Sequence, residues 1–148
     1  MAEAQPEPSK VTVSGGPSGL LQQITVGRHH LVGDEPAEQG GGDAGPNPYD
    51  FLLAALGTCT SMTVSLYARR KGWPLEGVTV QLMHSKIHAL DCASCETKEG
   101  MLDRIDRDVE LQGPLSEDQR SRLLEIANKC PVHRTLTSEI DIRTRLKA

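Results

Sequence analysis

Four cysteines are the residues of this 148-residue chain with the clearest chemical potential. Cys130 lies in the sequence CPVHRTL, so His133 and Arg134 follow it closely. Cations beside a thiol stabilise the thiolate, which is its nucleophilic form. Cys59 lies in an apolar stretch, where a free cysteine is usually a buried, inert core residue. The residues alone therefore predict a core Cys59 and make Cys130 the better candidate for a reactive thiol.

Cys92 and Cys95 form a CxxC motif that has three possible interpretations. A thioredoxin-like redox pair needs cations nearby, but acidic residues flank this motif on both sides. A zinc site could combine the two cysteines with His84 and His88, although the chain would have to fold back for His84 to reach them. We expect the third arrangement, a solvated loop with free thiols and no bound metal.

The elements that position these residues are expected to form one domain. Residues 1–9 are polar and proline-rich, which predicts a disordered tail before a single domain over residues 10–148. A hairpin follows, because two runs of alternating apolar residues flank a glycine-rich turn. In the second run, Arg28 and His30 share a face with Ile24, which places Arg28 on the apolar side of one continuous strand, or in solvent if the strand twists or bulges there.

A long helix is predicted over residues 48–71, after a glycine-rich segment that we interpret as a flexible connector. Asn47 suits the N-cap and Pro48 the first helical position, while Gly72 supplies the stop. The helix has almost no charge in its middle, so it should be buried on all sides. One sheet and one shorter helix barely cover such an element, which predicts an obligate homodimer.

The remaining elements complete an α+β fold of antiparallel sheets packed on two main helices. We expect a bulged strand over residues 78–87, a strand over residues 105–111 and a last strand over residues 139–146. Between the last two strands, Ser116 and Gln119 form a capping box for a helix that ends near Cys130.

Composition excludes several classes of function. Aromatic residues make up 3% of the chain and the net charge is −4, so nucleic-acid binding has little support. The apolar runs are interrupted too often for us to expect a membrane-spanning segment, and the N-terminus does not resemble a secretory signal. We therefore expect a cytoplasmic protein.

Two longer segments together resemble the OsmC/Ohr family. They are GPNPYDFLLAALGTCTSMTVSLYARRKGWPLEGVTV and LSEDQRSRLLEIANKCPVHRTL, and HHLVGDEP with DCASCE is similar to the YhfA-like branch. The specific feature is the pair: a cysteine in an apolar helix opened by Asn-Pro, and a Cys-Pro at the end of a second helix. The resemblance implies an intertwined homodimer that reduces organic hydroperoxides with a dithiol reductant and no cofactor.

Carried over to this sequence, the resemblance makes Cys59 the peroxidatic nucleophile and Cys130 the resolving thiol. This chain lacks the family's paired Glu and Arg, since Tyr49 stands where the Glu would be. Another cation must then activate Cys59, and among Arg28, Arg134, His30 and His133 we favour Arg28.

Three side chains near the start and middle of the long helix are candidates for binding the substrate: Tyr49, Leu56 and Met62. Apolar groups there would favour alkyl hydroperoxides. Two alternatives to a peroxidase remain: a non-catalytic protein of the same fold that binds a small ligand, and a zinc-binding module that uses Cys92 and Cys95.

Overall fold

The computed structural model describes residues 7–147, and the chain divides into two compact units, Met1–Phe51 and Leu52–Ala148. The α+β class is confirmed. In chain order the elements are β1 (Val11–Gly15), β2 (Gln22–Val26), β3 (His29–Gly33), α1 (Pro48–Lys71), β4 (Gly77–His88), β5 (Met101–Gln112), α2 (Glu117–Ala127) and α3 (Pro131–Leu136), with short 3₁₀ turns at Ala37–Gln39 and Ala89–Asp91. Most of the predicted tail, residues 1–6, lies outside the described residues, and the single-domain organisation stays a prediction.

The first unit contains a three-stranded antiparallel sheet in the order β1-β2-β3. The prediction of one strand running through Arg28 is wrong, because β2 ends at Val26 and β3 starts at His29. Gly27 has a φ of +58°, the left-handed value that a two-residue hairpin turn requires and that glycine adopts without strain. Arg28 is therefore an exposed turn residue.

The glycine-rich segment after β3 is organised by a buried carboxylate, contrary to the expectation of a flexible connector. Asp34 accepts backbone N–H hydrogen bonds from Glu35 at 2.8 Å, Gly42 at 3.2 Å and Ala44 at 3.1 Å. A Cβ at Gly41 would overlap the carbonyl oxygen of Glu35, so this close approach requires glycine. The segment is thus folded around the Asp34 side chain.

Helix α1 has the predicted bounds and the predicted cap. The Asn47 side chain accepts the Asp50 N–H at 2.8 Å, and the Asp50 carboxylate accepts the Asn47 N–H at 3.0 Å. At the other end Gly72, with a φ of +67°, stops the helix. Local chemistry at the two ends therefore sets the length of the element.

Complete burial of α1 is not observed. Within the described residues its buried positions form one face, made by Leu56, Gly57, Thr60, Val64 and Ala68. On other faces Met62 is 61% exposed and Leu66 is 47% exposed. The rest of a single chain covers one face only, so burial of α1 on all sides by a second copy stays a prediction.

By length and composition α1 could cross a membrane, with a mean hydropathy of 1.5 over its most apolar stretch. This differs from the expectation that the interrupted apolar runs exclude a segment long enough to span a membrane. The central helix of a globular protein meets the same criteria, and here Val64 and Ala68 form a core cluster with Leu123, Ile126 and Ala127 of α2. The apolar content of α1 thus has a packing role within the second unit.

Strands β4 and β5 form a long antiparallel hairpin in the second unit. The register runs without interruption from Gly77 opposite Gln112 to His88 opposite Met101, so the predicted bulge in β4 is absent. Both strands are longer than expected. Side chains of one face, including Val78, Val109 and Leu111, pack against the α1–α2 cluster.

The C-terminal part differs most from the sequence prediction. The Ser116–Gln119 capping box of α2 is confirmed, but α2 ends at Ala127 and the unpredicted helix α3 follows directly after Cys130. The strand predicted over residues 139–146 is not formed, since this segment has no regular structure in the described chain. Ile142 is 81% exposed there, because no neighbouring strand pairs with the segment.

Candidate active site

The two cysteines of the predicted redox pair lie together in the second unit. Cys59 is on α1 and half-buried, whereas Cys130 lies between α2 and α3 and is 0% exposed. Both are free, and Cys59 is near enough to Cys130 to lower the pKa of the Cys130 thiol. Residues about 70 positions apart in sequence therefore form one site. Solvent reaches Cys59 more readily than Cys130.

Cys130 caps the N-terminus of α3. Its Sγ accepts the backbone N–H of His133 at 3.4 Å, and Pro131 occupies the first helical position, where a missing N–H has no cost. The Thr60 hydroxyl oxygen lies 3.6 Å from Sγ, and Nη1 of Arg107 donates to Sγ across 4.0 Å. Polar groups from α1, β5 and α3 thus converge on one sulfur atom.

Arg107 connects these elements. Its Nη1 donates to Thr60 Oγ1 at 3.0 Å, while its Nη2 donates to Asn128 Oδ1 at 2.9 Å and to His133 Nδ1 at 3.0 Å. Arg107 was not among the site residues predicted from the sequence, where it lies among the alternating charges of β5. A signal was available, because Arg107 shares the inward-facing parity of β5 with Ile105 and Val109.

The surroundings of Cys130 favour its charged form. Burial raises the pKa of the Cys130 thiol, but hydrogen bonds from the His133 N–H, Thr60 and Cys59, together with the charge of Arg107, lower that pKa below its ordinary value overall. Burial and the Arg107 charge also hold the pKa of His133 below its usual value. His133 is then neutral near pH 7, which fits its acceptor role at Nδ1.

A depression of about 410 Å³ lies beside this cluster. It combines apolar side chains with polar groups and is lined by Leu56, Asp103, Ile105, Arg107, Asn128, His133, Leu136 and Thr137. Of the predicted substrate-binding residues, only Leu56 lines it. Met62 lines a different groove, with Gly57 and Leu82, and Tyr49 is 51% exposed in the first unit.

The predicted cations have different surroundings. His133 contributes its backbone N–H and its ring to the cysteine cluster. Arg134 is exposed on α3, and His30 lies beside the Thr25 hydroxyl at 3.4 Å. The guanidinium beside Cys130 belongs to Arg107. These contacts do not test whether Arg28 activates Cys59, and that role stays a prediction.

The expectation of free thiols at Cys92 and Cys95 is wrong, because a disulfide joins them. The turn Ala89–Asp91 brings the two Cα atoms to 5.4 Å, within the range that a disulfide spans. His84 Nε2 lies 2.8 Å from an Asp103 carboxylate oxygen. In residues 7–147, no three His, Cys, Asp or Glu side chains form a potential metal site.

The first unit has an apolar depression of its own, of about 670 Å³. Its walls are side chains of the β1–β2–β3 sheet, among them Val13, Ile24 and Leu31, and it extends to Phe51. An open apolar surface of this kind fits either a small apolar ligand or another protein surface.

Comparisons with known proteins identify the fold. A sequence profile described as OsmC-like protein matches residues 40–145, whereas no curated protein sequence gives a significant match. An OsmC-like protein from Mycoplasma pneumoniae is structurally similar, with a TM-score of 0.69, 19% identity and 89% of each chain covered. The organic hydroperoxide resistance protein OhrB of Bacillus subtilis gives a TM-score of 0.61, 20% identity and coverage of 95% of this chain and 98% of that one.

A third similar structure is an organic hydroperoxide resistance protein OsmC from Legionella pneumophila, with a TM-score of 0.63, 19% identity and coverage of 90% and 92%. At these identities the similarity establishes the fold, so the predicted OsmC-like fold is confirmed. Because the profile match includes α1, both cysteines of the pair and most of the chain, the protein belongs to the OsmC-like protein family.

Proposed function

We propose that the protein is a cysteine-based peroxidase that reduces organic hydroperoxides, with Cys59 as nucleophile and Cys130 as resolving thiol. The observation that carries this proposal is the pairing of two free cysteines with opposite accessibility. A peroxide can approach the half-buried Cys59, whereas the fully buried Cys130 is accessible to its neighbour. The thiolate-stabilising contacts of Cys130 suit attack on an oxidised Cys59.

The reaction has two steps. The sulfur of Cys59 attacks the O–O bond, an S–O bond forms, and the alkoxide leaves and takes a proton to become the alcohol. Cys130 then attacks the resulting sulfenic acid. The S–S bond forms, hydroxide leaves, and the pair ends as a disulfide that an external dithiol reduces back to two thiols. Such a cycle fits a reducing, cytoplasmic compartment and requires no cofactor.

We further propose that the protein works as a homodimer. In one chain Met62 and Leu66 of α1 remain exposed, and residues 139–147 have alternating apolar side chains without a strand partner. A second copy could cover both features. Light scattering at micromolar concentration should give the mass of two chains, and a stable folded monomer would contradict this proposal.

Single substitutions test the assignment of the two cysteines. Cys59→Ser should abolish hydroperoxide consumption, because it removes the nucleophile. Cys130→Ser should consume about one equivalent and then stop at a sulfenic acid that a dimedone-type reagent traps. The paired substitution of Cys92 and Cys95 by serine is the matched control and should retain turnover. Consumption by Cys59→Ser at the parent rate would refute the assignment.

Arg28→Ala tests the cation favoured by the sequence. If Arg28 activates Cys59, this variant should slow the first step and leave the resolving step unchanged. Stopped-flow measurement of sulfenic acid formation and of disulfide formation separates the two steps. Unchanged rates in both would remove Arg28 from the proposed mechanism.

A second candidate function is binding of a small apolar ligand without catalysis. The open apolar depression of about 670 Å³ in the first unit favours it. Hydroperoxide turnover by the purified protein with a dithiol reductant discriminates the two functions. A protein that binds a fatty acid probe but reduces no alkyl hydroperoxide would support the binding function.

A further inference from the structure

We propose that Cys130 is also the base that takes the proton of Cys59, and that Arg107 is the positioning residue that keeps Cys130 charged. This inference rests on the proposed peroxidase function. It assigns to the resolving cysteine a role before resolution, and it places the required cation on β5.

The guanidinium of Arg107 is held in place by neutral groups. Its hydrogen-bond acceptors are the hydroxyl of Thr60, the side-chain amide of Asn128 and the imidazole of His133, at 2.9 to 3.0 Å. These partners orient the guanidinium but carry no compensating negative charge. The Sγ of Cys130, 4.0 Å from Nη1, can supply that charge as a thiolate.

The nearby acidic side chain already has partners. Asp103 lines the adjacent depression, and its carboxylate oxygen lies 2.8 Å from His84 Nε2 and 3.1 Å from Lys86 Nζ. The titratable and charged groups in contact with Cys130 come from three elements: Cys59 from α1, Arg107 from β5 and His133 from α3. A single negative charge shared by the two cysteines therefore fits this environment.

The proximity of Cys59 to Cys130, which lowers the pKa of the Cys130 thiol, gives the proton a path. As the sulfur of Cys59 forms its bond to the peroxide oxygen, its proton passes to the Cys130 thiolate and the O–O bond breaks. Cys130 gives that proton to the leaving alkoxide, which becomes the alcohol. Cys130 is then again a thiolate, ready to attack the sulfenic acid and release hydroxide. Protons and electrons balance without another group.

The resting charge can be measured without turnover, from the ultraviolet absorbance of thiolates as a function of pH. The protein should carry Cys92→Ser and Cys95→Ser, so that only the cysteine pair contributes. Cys59→Ser should retain the thiolate that forms at low pH, and Cys130→Ser should lose it. The opposite result would place the charge on Cys59 and overturn the inference.

Substitutions of the arginine test its positioning role. At a fixed pH below the midpoint of the thiolate titration, Arg107→Met should lower the thiolate fraction about tenfold, because an opposite charge near the sulfur is lost. Arg107→Lys should restore part of it. The matched control is Arg104→Met, an exposed residue of β5 paired with Asp106, which should titrate like the parent. A folded Arg107→Met protein that also titrates like the parent would overturn the inference.

The kinetic arm links the charge to the reaction. If Cys130 is the base, Cys130→Ser should consume its one equivalent of hydroperoxide more slowly than the parent forms sulfenic acid. Arg107→Met should shift the pH–rate profile of that step to higher pH. An equal rate for Cys130→Ser would refute the base role while leaving the peroxidase function intact. A parent protein that shows the Arg107-dependent thiolate but reduces no hydroperoxide would refute the proposed function, and the base role with it.

Discussion

Replacing Thr60 by valine should weaken the charged state of the cysteine pair without emptying the space that Thr60 fills. Thr60 is 0% exposed, and its hydroxyl donates to the Leu56 carbonyl at 2.6 Å and accepts from Arg107 at 3.0 Å. The same hydroxyl lies 3.6 Å from Cys130 Sγ. Its proton can turn toward the sulfur when Cys130 is a thiolate. Valine keeps the shape but removes all three interactions.

The size of the effect follows from the bonds that are lost. A hydrogen bond contributes about 0.5–1.5 kcal/mol net, which corresponds to a two- to tenfold fall in the thiolate fraction at a fixed pH. The Arg107 N–H group also loses a buried acceptor, so the free energy of unfolding should fall by about 1–3 kcal/mol. Arg107 keeps its bonds to Asn128 and His133, which limits the loss.

Thiolate absorbance against pH and urea denaturation measure the two quantities. Thr60→Ser is the matched control, because it keeps the hydroxyl and removes a methyl group, at a cost of about 0.8 kcal/mol. Serine should therefore titrate like the parent although it is slightly less stable, whereas valine should require a higher pH. If the folded valine and serine variants gave the same thiolate titration, the Thr60 hydroxyl would have no part in stabilising the charge.

Three further predictions concern parts of the fold outside the cysteine cluster. Backbone N–H groups, led by that of Glu35, hold the pKa of Asp34 below its usual 3.8. The charged carboxylate therefore stabilises the fold above that pH, and this stabilisation is lost as the pH falls through the lower pKa of the folded state. Asp34→Asn should speed amide hydrogen exchange in residues 41–45 at neutral pH and flatten the fall in stability at acid pH. Without reductant the protein should show two free thiols per chain and a chelator should leave its Tm unchanged, because the sulfurs of the CxxC motif are joined in a disulfide; one tightly bound zinc per chain would contradict this. Leu123→Ala, at a fully buried position, should lower the free energy of unfolding in urea by about 2–5 kcal/mol, while Leu124→Ala, at a position that is 54% exposed, should change it by less than about 1 kcal/mol.

Where the sequence prediction was wrong, the missing information was mostly about pairing between distant segments. The alternating apolar residues after residue 22 were compatible with one strand. The turn at Gly27 lets β3 pair with β2 instead, and Arg28 therefore lies in the turn and not on the apolar face. The last predicted strand has a strand-like pattern, yet a strand forms only where a neighbour supplies its hydrogen bonds. A helix as short as α3 has too few residues to give a clear period.

The sequence by itself determined the features that depend on neighbouring residues. The bounds of α1 follow from the Asn-Pro start and Gly72, and the start of α2 follows from Ser116 and Gln119, because caps and stops act within one helical turn. The resemblance to the OsmC/Ohr family likewise paired Cys59 with Cys130. Only the tertiary structure decided that Arg107 lies beside that pair, since the register of β5 and its packing against α1 and α3 join residues that no local pattern connects.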